Sequence, residues 1–313
     1  MQRNPIAIWG MVIAATFFWG SNFNAARALA DHQLPALTAA GGRFGIAVVI
    51  LMLMRAMRGK AESVLTPRDM LALVVLGLIG VFSFNYAFFT ALHTTSALNA
   101  ALIMALSPLT TTLLSAWLLK TKIQRPQILG IAIAFVGVAL VITGGHLTAL
   151  RVAVGDLWML YACLAWSVYT VLVKKYAATV PPLQQARWTV AAGSAALIAM
   201  ALWHESPLPL LAQQPVPVFL ILAYMAVCGT VLAYVFWLQG VQALGPQRAA
   251  ITFNLVPVSA LLVNLAFGTP PQAEQCVGLL LVFAGVLVAS GWRPSSLKTN
   301  KAVPVAGKVC SDT

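Results

Sequence analysis

The chain has 313 residues, of which 60% are hydrophobic and only 8% charged, with a net charge of +12. A soluble domain carries about 25% charged residues, so this composition excludes an ordinary soluble protein and implies a polytopic α-helical membrane protein. The positive charge sits in short loops between apolar runs, which makes it a topology signal and not a nucleic-acid footprint.

Ten apolar stretches follow, each near the ~20 residues a bilayer demands. The first runs from Pro5 to Leu29, the second from Pro35 to Met57, the third from Asp69 to Leu92 and the fourth from Thr94 to Leu119. Pro126 to Gly144 makes a fifth, and a polar joint from Gly145 to Val154 precedes the sixth, Gly155 to Tyr176. Leu183 to Trp203, Val216 to Ala243, Pro246 to Gly268 and Ala273 to Trp292 complete the set. The first run is too long for a signal-peptide core and lacks a small-residue cleavage site, so it is expected to stay as a helix. The tail from Arg293 is polar and is expected to be disordered. Nine tryptophans and fourteen phenylalanines suit interfacial belts. The four cysteines have no disulfide or metal spacing.

Alternate connections hold most of the basic residues: Arg3; Arg55, Arg58, Lys60 and Arg68; Lys120, Lys122 and Arg125; Lys174 and Lys175; Arg248; and the tail. The other set holds only Arg27 and Arg151 near its loops. The positive-inside rule therefore puts both termini in the cytoplasm.

The fourth span organises the rest. Pro108 lies near its middle, where a proline removes a backbone donor and frees the carbonyl of Met104. Lipid cannot satisfy that carbonyl, so this face is expected to meet protein or a wet cavity. Ala97 to Pro108 aligns without a gap on Pro246 to Pro257, 149 residues later, proline on proline. Gly80 matches Gly229 at the same offset, with Asn85 opposite Tyr234 and Phe88 opposite Trp237. Gly130 and Gly137 match Gly278 and Gly285 at 148, and Trp19 matches Trp166 at 147. Two tandem copies of five helices must enter the membrane in opposite senses, which makes an inverted-topology repeat. The expected units are residues 1–145 and 152–292, with 293–313 as a cytoplasmic tail.

Trp19-Gly20-Ser21-Asn22-Phe23 resembles the opening motif of the drug/metabolite transporter superfamily, EamA type. Gly42-Arg43-Phe44 and Leu106-Ser107-Pro108-Leu109 are similar to it in the first half, as are Ala165 to Tyr169, Gly229-Thr230 with Tyr234 and Trp237, and Val256-Pro257-Val258 in the second. The resemblance implies a ten-helix secondary transporter of small organic metabolites in a bacterial inner membrane, with an exporter of amino acids or related compounds foremost. One departure stands out. The family's Gly-Glu pair after the fourth and ninth helices is replaced here by Leu119-Lys120-Thr121-Lys122 and Gly268-Thr269-Pro270-Pro271.

Polar groups inside spans are functional candidates. Arg43 lies about 12 Å along its helix, at the standard rise, beside Gly41, Gly42 and Gly45; it either contacts substrate or snorkels outward. For Arg187 snorkelling is the preferred reading. Asn22, Asn85, Asn99 and Asn254 are the candidate polar anchors, and Trp19, Trp166, Tyr169, Tyr234 and Trp237 the candidate aromatic wall. Pro108 and Pro257 are the candidate hinges. No carboxylate or imidazole falls at the midplane, so uniport is preferred to proton exchange, with Asp156 the remaining proton-carrier candidate. No Walker loop, metal set or cofactor motif is present, and no enzymatic activity is expected. The expected partners are a small-molecule substrate and the bilayer, without nucleic acid, in a monomer or homodimer. A proton-coupled antiporter, a non-transporting sensor and a lipid-modifying enzyme are the alternatives.

Overall fold

A computed structural model describes residues 5–58, 63–120, 123, 125–143, 153–244, 249, 252–268 and 270–289, all of it helix, turn or loop. Residues 145–152 of the polar joint, the loop residue Arg248 and the tail from Arg293 lie outside the described residues. Among the described residues, seven helices are long and apolar enough to cross a membrane: α1 (Pro5–Asp31), α2 (Ala36–Arg58), α3 (Pro67–Leu92), α4 (Ala97–Leu118), and, after α5, α6 (Val154–Tyr176), α7 (Pro182–His204) and α8 (Val216–Leu244). Three other apolar helices occupy the remaining expected places: α5 (Arg125–Thr143), α9 (Leu255–Ala266) and α10 (Ala273–Ala289). Large apolar side chains such as Trp117, Phe135, Leu220 and Phe267 face outward, as a lipid-bathed surface requires.

Local chemistry sets the helix starts. Thr66 caps α3 in a reciprocal box with Asp69, and Pro67 stands where its missing N–H costs nothing. Ser96 accepts from the Asn99 N–H to open α4. At the start of α2 the Glu205 carboxylate accepts from the backbone N–H groups of Leu37 (3.1 Å) and Thr38 (2.6 Å). That bond pins the end of α7 to the beginning of α2 and satisfies orphan donors with a favourable charge. Asp156, 2% exposed, accepts from the Ala153 N–H at the start of α6 and from Thr95 Oγ1 at 2.6 Å.

The packing is paired. Helix α1 lies on α8 and α9, while α6 lies on α3 and α4; α2 packs on α7, and α5 on α10. The α5–α10 crossing depends on glycines. A Cβ on Gly137 would come 2.9 Å from the Gly278 carbonyl oxygen, and one on Gly285 would come 2.5 Å from that of Gly130. Small residues let backbones approach this closely inside lipid.

Two features break the regular helices, and both occur twice. Helix α4 divides into Ala97–Met104 and Ser107–Leu118, so Pro108 sits in the first turn of a new segment. Pro257 likewise lies in the first turn of α9, which follows a 3-10 turn at Thr252–Asn254. Both prolines are buried. In α3 and α8 the winding loosens to a π-helix over Leu78–Ser83 and Val227–Leu232. These two segments begin 149 residues apart, the interval that separates the prolines. Such π segments shift the register of all side chains beyond them and often mark functional positions.

Candidate functional site

The π segments turn two glycine carbonyls into the centre of the bundle. Gly229 O accepts from Trp19 Nε1 at 3.0 Å and from Arg43 Nη2 at 2.9 Å. Gly80 O, its partner by interval, receives the Tyr234 hydroxyl at 3.4 Å. No side chain fits at either glycine: a Cβ on Gly229 would collide with the Asn22 amide, and one on Gly80 with the Tyr169 ring. Asn22 and Tyr169 are themselves separated by 147 residues, as Trp19 and Trp166 are.

Around these carbonyls the aromatic residues of both halves meet. Trp19 makes edge contacts with Trp166 (centroids 5.2 Å apart) and Trp237 (5.3 Å), and stacks on Phe253 at 5.3 Å. Phe253 meets Trp237 at 4.9 Å, and Phe84 lies 5.4 Å from Trp166. Between Trp19, Asn22, Arg43, Phe84, Trp166 and Tyr234 is a chamber of about 30 Å³. That volume suits a water or two and is far too small for a metabolite. Each ring pair contributes about 0.5–1.5 kcal/mol beyond its burial, so the narrow chamber is held by its own wall.

The polar groups are unevenly served. Arg43 is 3% exposed and so does not snorkel. Its Nε donates to Thr230 Oγ1 at 2.8 Å, and Nη1 reaches Asn85 Oδ1 at 3.5 Å. Its guanidinium also lies 4.8 Å from the Phe44 ring centroid. Every one of these partners is neutral, and no described carboxylate forms an ion pair with it. Asn85 also donates to Val81 O. Asn22 is 2% exposed, and both its amide oxygen and its nitrogen lack a hydrogen-bond partner.

Two expectations change. Asn99 is not brought to the chamber: its Oδ1 accepts from Gln275 Nε2 at 2.8 Å, joining α4 to α10 near the first turn of each helix. Helix α4 presents Met104 to the chamber instead, because Asn99 lies more than a helical turn away from it. Arg187 is 4% exposed beside the Trp188 ring and does not snorkel. The side chain of Asn254 lies outside the described residues. Of the remaining candidates, Trp19, Asn22, Arg43, Trp166 and Tyr234 line the chamber; Tyr169, Trp237 and Asn85 are buried immediately behind it. Phe84 and Phe253 line it without having been singled out from the sequence. Phe23, Phe88 and Met104 line it too, and each carried a signal short of a site assignment: the opening motif, the match to Trp237 and the carbonyl that Pro108 frees.

A multi-pass helical membrane protein with an aromatic chamber lined by both halves of its chain is the class that this fold and centre define. The chain belongs to the EamA-like transporter family, which matches it twice, over residues 6–143 and 153–291. It is 35% identical to "Uncharacterized transporter YyaM" of Bacillus subtilis (strain 168), over 91% of this chain and 93% of that one. It is 27% identical to "Uncharacterized inner membrane transporter YedA" of Escherichia coli (strain K12), covering 92% of each. Similarity to the "Probable terminal-alkyne amino-acid exporter" of Streptantibioticus cattleyicolor is 26%, over 90% of this chain and 92% of that one. A crystal structure with 20% sequence identity shares the fold, with a TM-score of 0.65 over 92% of this chain and 97% of the other.

Proposed function

We propose that the protein is a secondary transporter that exports small organic metabolites, amino acids or related compounds among them, across the bacterial inner membrane by alternating access. The observation that carries this reading is the chamber itself. It is walled by α1, α2, α3, α4, α6, α8 and Phe253, and is too small for any metabolite in its present form. Loading it requires the helices to part, and opening toward one side at a time is how such a centre moves solute. Family membership, the inner-membrane relative and the amino-acid exporter relative support the same reading.

The architecture we infer is two five-helix inverted repeats, residues 1–145 and 152–292, with both termini and the 293–313 tail in the cytoplasm. The doubled π segments, the doubled proline breaks and the reciprocal α5–α10 glycine contacts support it. The breaks at Pro108 and Pro257 are the hinges. No substrate-coupled proton step is assigned, because the buried Asp156 is occupied in capping α6 and bonding Thr95. The test is counterflow of labelled amino acids in proteoliposomes: saturable exchange that Trp237→Ala reduces supports transport. A correctly inserted protein that moves none of a broad metabolite panel overturns it.

A further inference from the structure

We propose that the negative charge which Arg43 lacks is supplied by the solute: the chamber takes small organic carboxylates with an apolar body, held at the acid by Arg43 and Asn22. This rests on the chamber being the transported solute's site.

A guanidinium has five N–H donors in a planar fork matched to a carboxylate. Three donor contacts of Arg43 are accounted for by Thr230 Oγ1, Gly229 O and Asn85 Oδ1, the last at a long 3.5 Å. The charge itself has no counter-ion among the described residues, although it is buried within the span of α2. A buried cation without an anion is costly in a bilayer, and such groups mark solute paths. Asn22 supplies the second, independent observation. Its amide is buried, lines the same chamber and has neither its donor nor its acceptor satisfied. A carboxylate oxygen can accept from its NH2, and its carbonyl can take a hydrogen bond from an amino or hydroxyl group beside the acid. The rest of the wall is largely aromatic, with Trp19, Phe84, Phe88 and Trp166 among its members, which suits a hydrocarbon or aromatic side group. An amphiphilic acid, such as an amino acid with an apolar side chain, meets all three demands. A cationic drug meets the wall but is repelled by the arginine.

The test uses full-length protein in nanodiscs and follows its tryptophan fluorescence. The probes are L-leucine and L-phenylalanine with their carboxamides, L-leucinamide and L-phenylalaninamide. At least one acid is expected to bind saturably, with its amide about tenfold weaker or more, equivalent to about 1.4 kcal/mol. Arg43→Gln is expected to bring the acid down to the affinity of the amide, Arg43→Lys to recover part of the difference, and Asn22→Leu to weaken the acid several-fold. Circular dichroism and gel filtration establish that each variant is folded. Equal affinity for acid and amide, an acid affinity untouched by folded Arg43→Gln, or no binding of either acid overturns the carboxylate site. Acid-selective binding without flux in proteoliposomes keeps this site and sinks the transport reading. Flux indifferent to the acid group does the reverse.

Discussion

The two π segments occupy equivalent places in α3 and α8, yet their surroundings differ in chemistry. Gly229 is approached by Trp19 Nε1, Arg43 and the Asn22 amide, whereas Gly80 is approached by the ring of Tyr169 and the hydroxyl of Tyr234. Asn22 and Tyr169 are matched positions, as are Asn85 and Tyr234. One framework has thus been used twice, with amides in the first half where the second has phenols. The lesson is that a duplicated backbone need not give a symmetric site. The bare carbonyls are shared features of the frame, while the side chains around them divide the centre into a cationic, amide-lined side and an aromatic one.

Several substitutions would break or sharpen that contrast. The largest effect is expected at the glycines. Gly80→Val or Gly229→Val forces a branched side chain into Tyr169 or Asn22, and little folded protein should be recovered in a fluorescence-detected gel-filtration assay. If both variants fold normally, the close approach of the carbonyls is not needed. Trp237→Ala comes next. It removes ring contacts to Trp19, Trp166 and Phe253. Truncating a buried tryptophan costs about 3–5 kcal/mol, seen as a lower melting temperature, and flux should fall by about tenfold or more.

Pro108→Ala is milder. It restores a backbone donor in the first turn of the second α4 segment, so stability should hold while the maximal rate falls and KM changes little. An unchanged maximal rate would remove this proline from the hinge. Asp156→Asn should slow transport through a weakened cap without altering its response to an imposed pH gradient. Loss of such a response would make Asp156 a proton carrier.

The smallest effect concerns His93, just beyond the end of α3. Partial burial, then the Arg27 charge, hold its pKa below the ordinary 6.5, and Glu205 opposes them. A depressed pKa means that the folded protein resists protonation relative to the unfolded chain. Its contribution is present above pH 6.5 and is lost as the pH falls through the folded-state value. Melting temperature should therefore decline slightly on acidification below neutrality, and His93→Gln should flatten that decline.

Much of the frame was legible because the repeat left the same residue types at nearly fixed intervals. Prolines 108 and 257, glycines 80 and 229, and tryptophans 19 and 166 each announced a place that the structure uses. The chamber wall was only half legible. Phe84 and Phe253 look in sequence like any apolar residue of a membrane span, since lipid and protein interior favour the same side chains. The π winding itself was not legible: Gly80 and Gly229 marked the two places, but a matched glycine does not show where a helix takes an extra residue per turn. Asn99 shows a different limit. Proximity along the chain to a helix break says nothing of which face an amide occupies, and here Gln275 claimed it. Arg187 fails similarly, since snorkelling was inferred from depth alone and its helix face was unknown.

One carbonyl oxygen, that of Gly229, receives hydrogen bonds from α1 through Trp19 and from α2 through Arg43. A displacement of α8 that carries this oxygen away from both helices surrenders two bonds in a single step, and a buried carbonyl left unpaired is costly. Half-way positions are then the least favourable ones. The knot couples the first two helices to the eighth as one moving part, and it favours a switch between end states over a gradual slide.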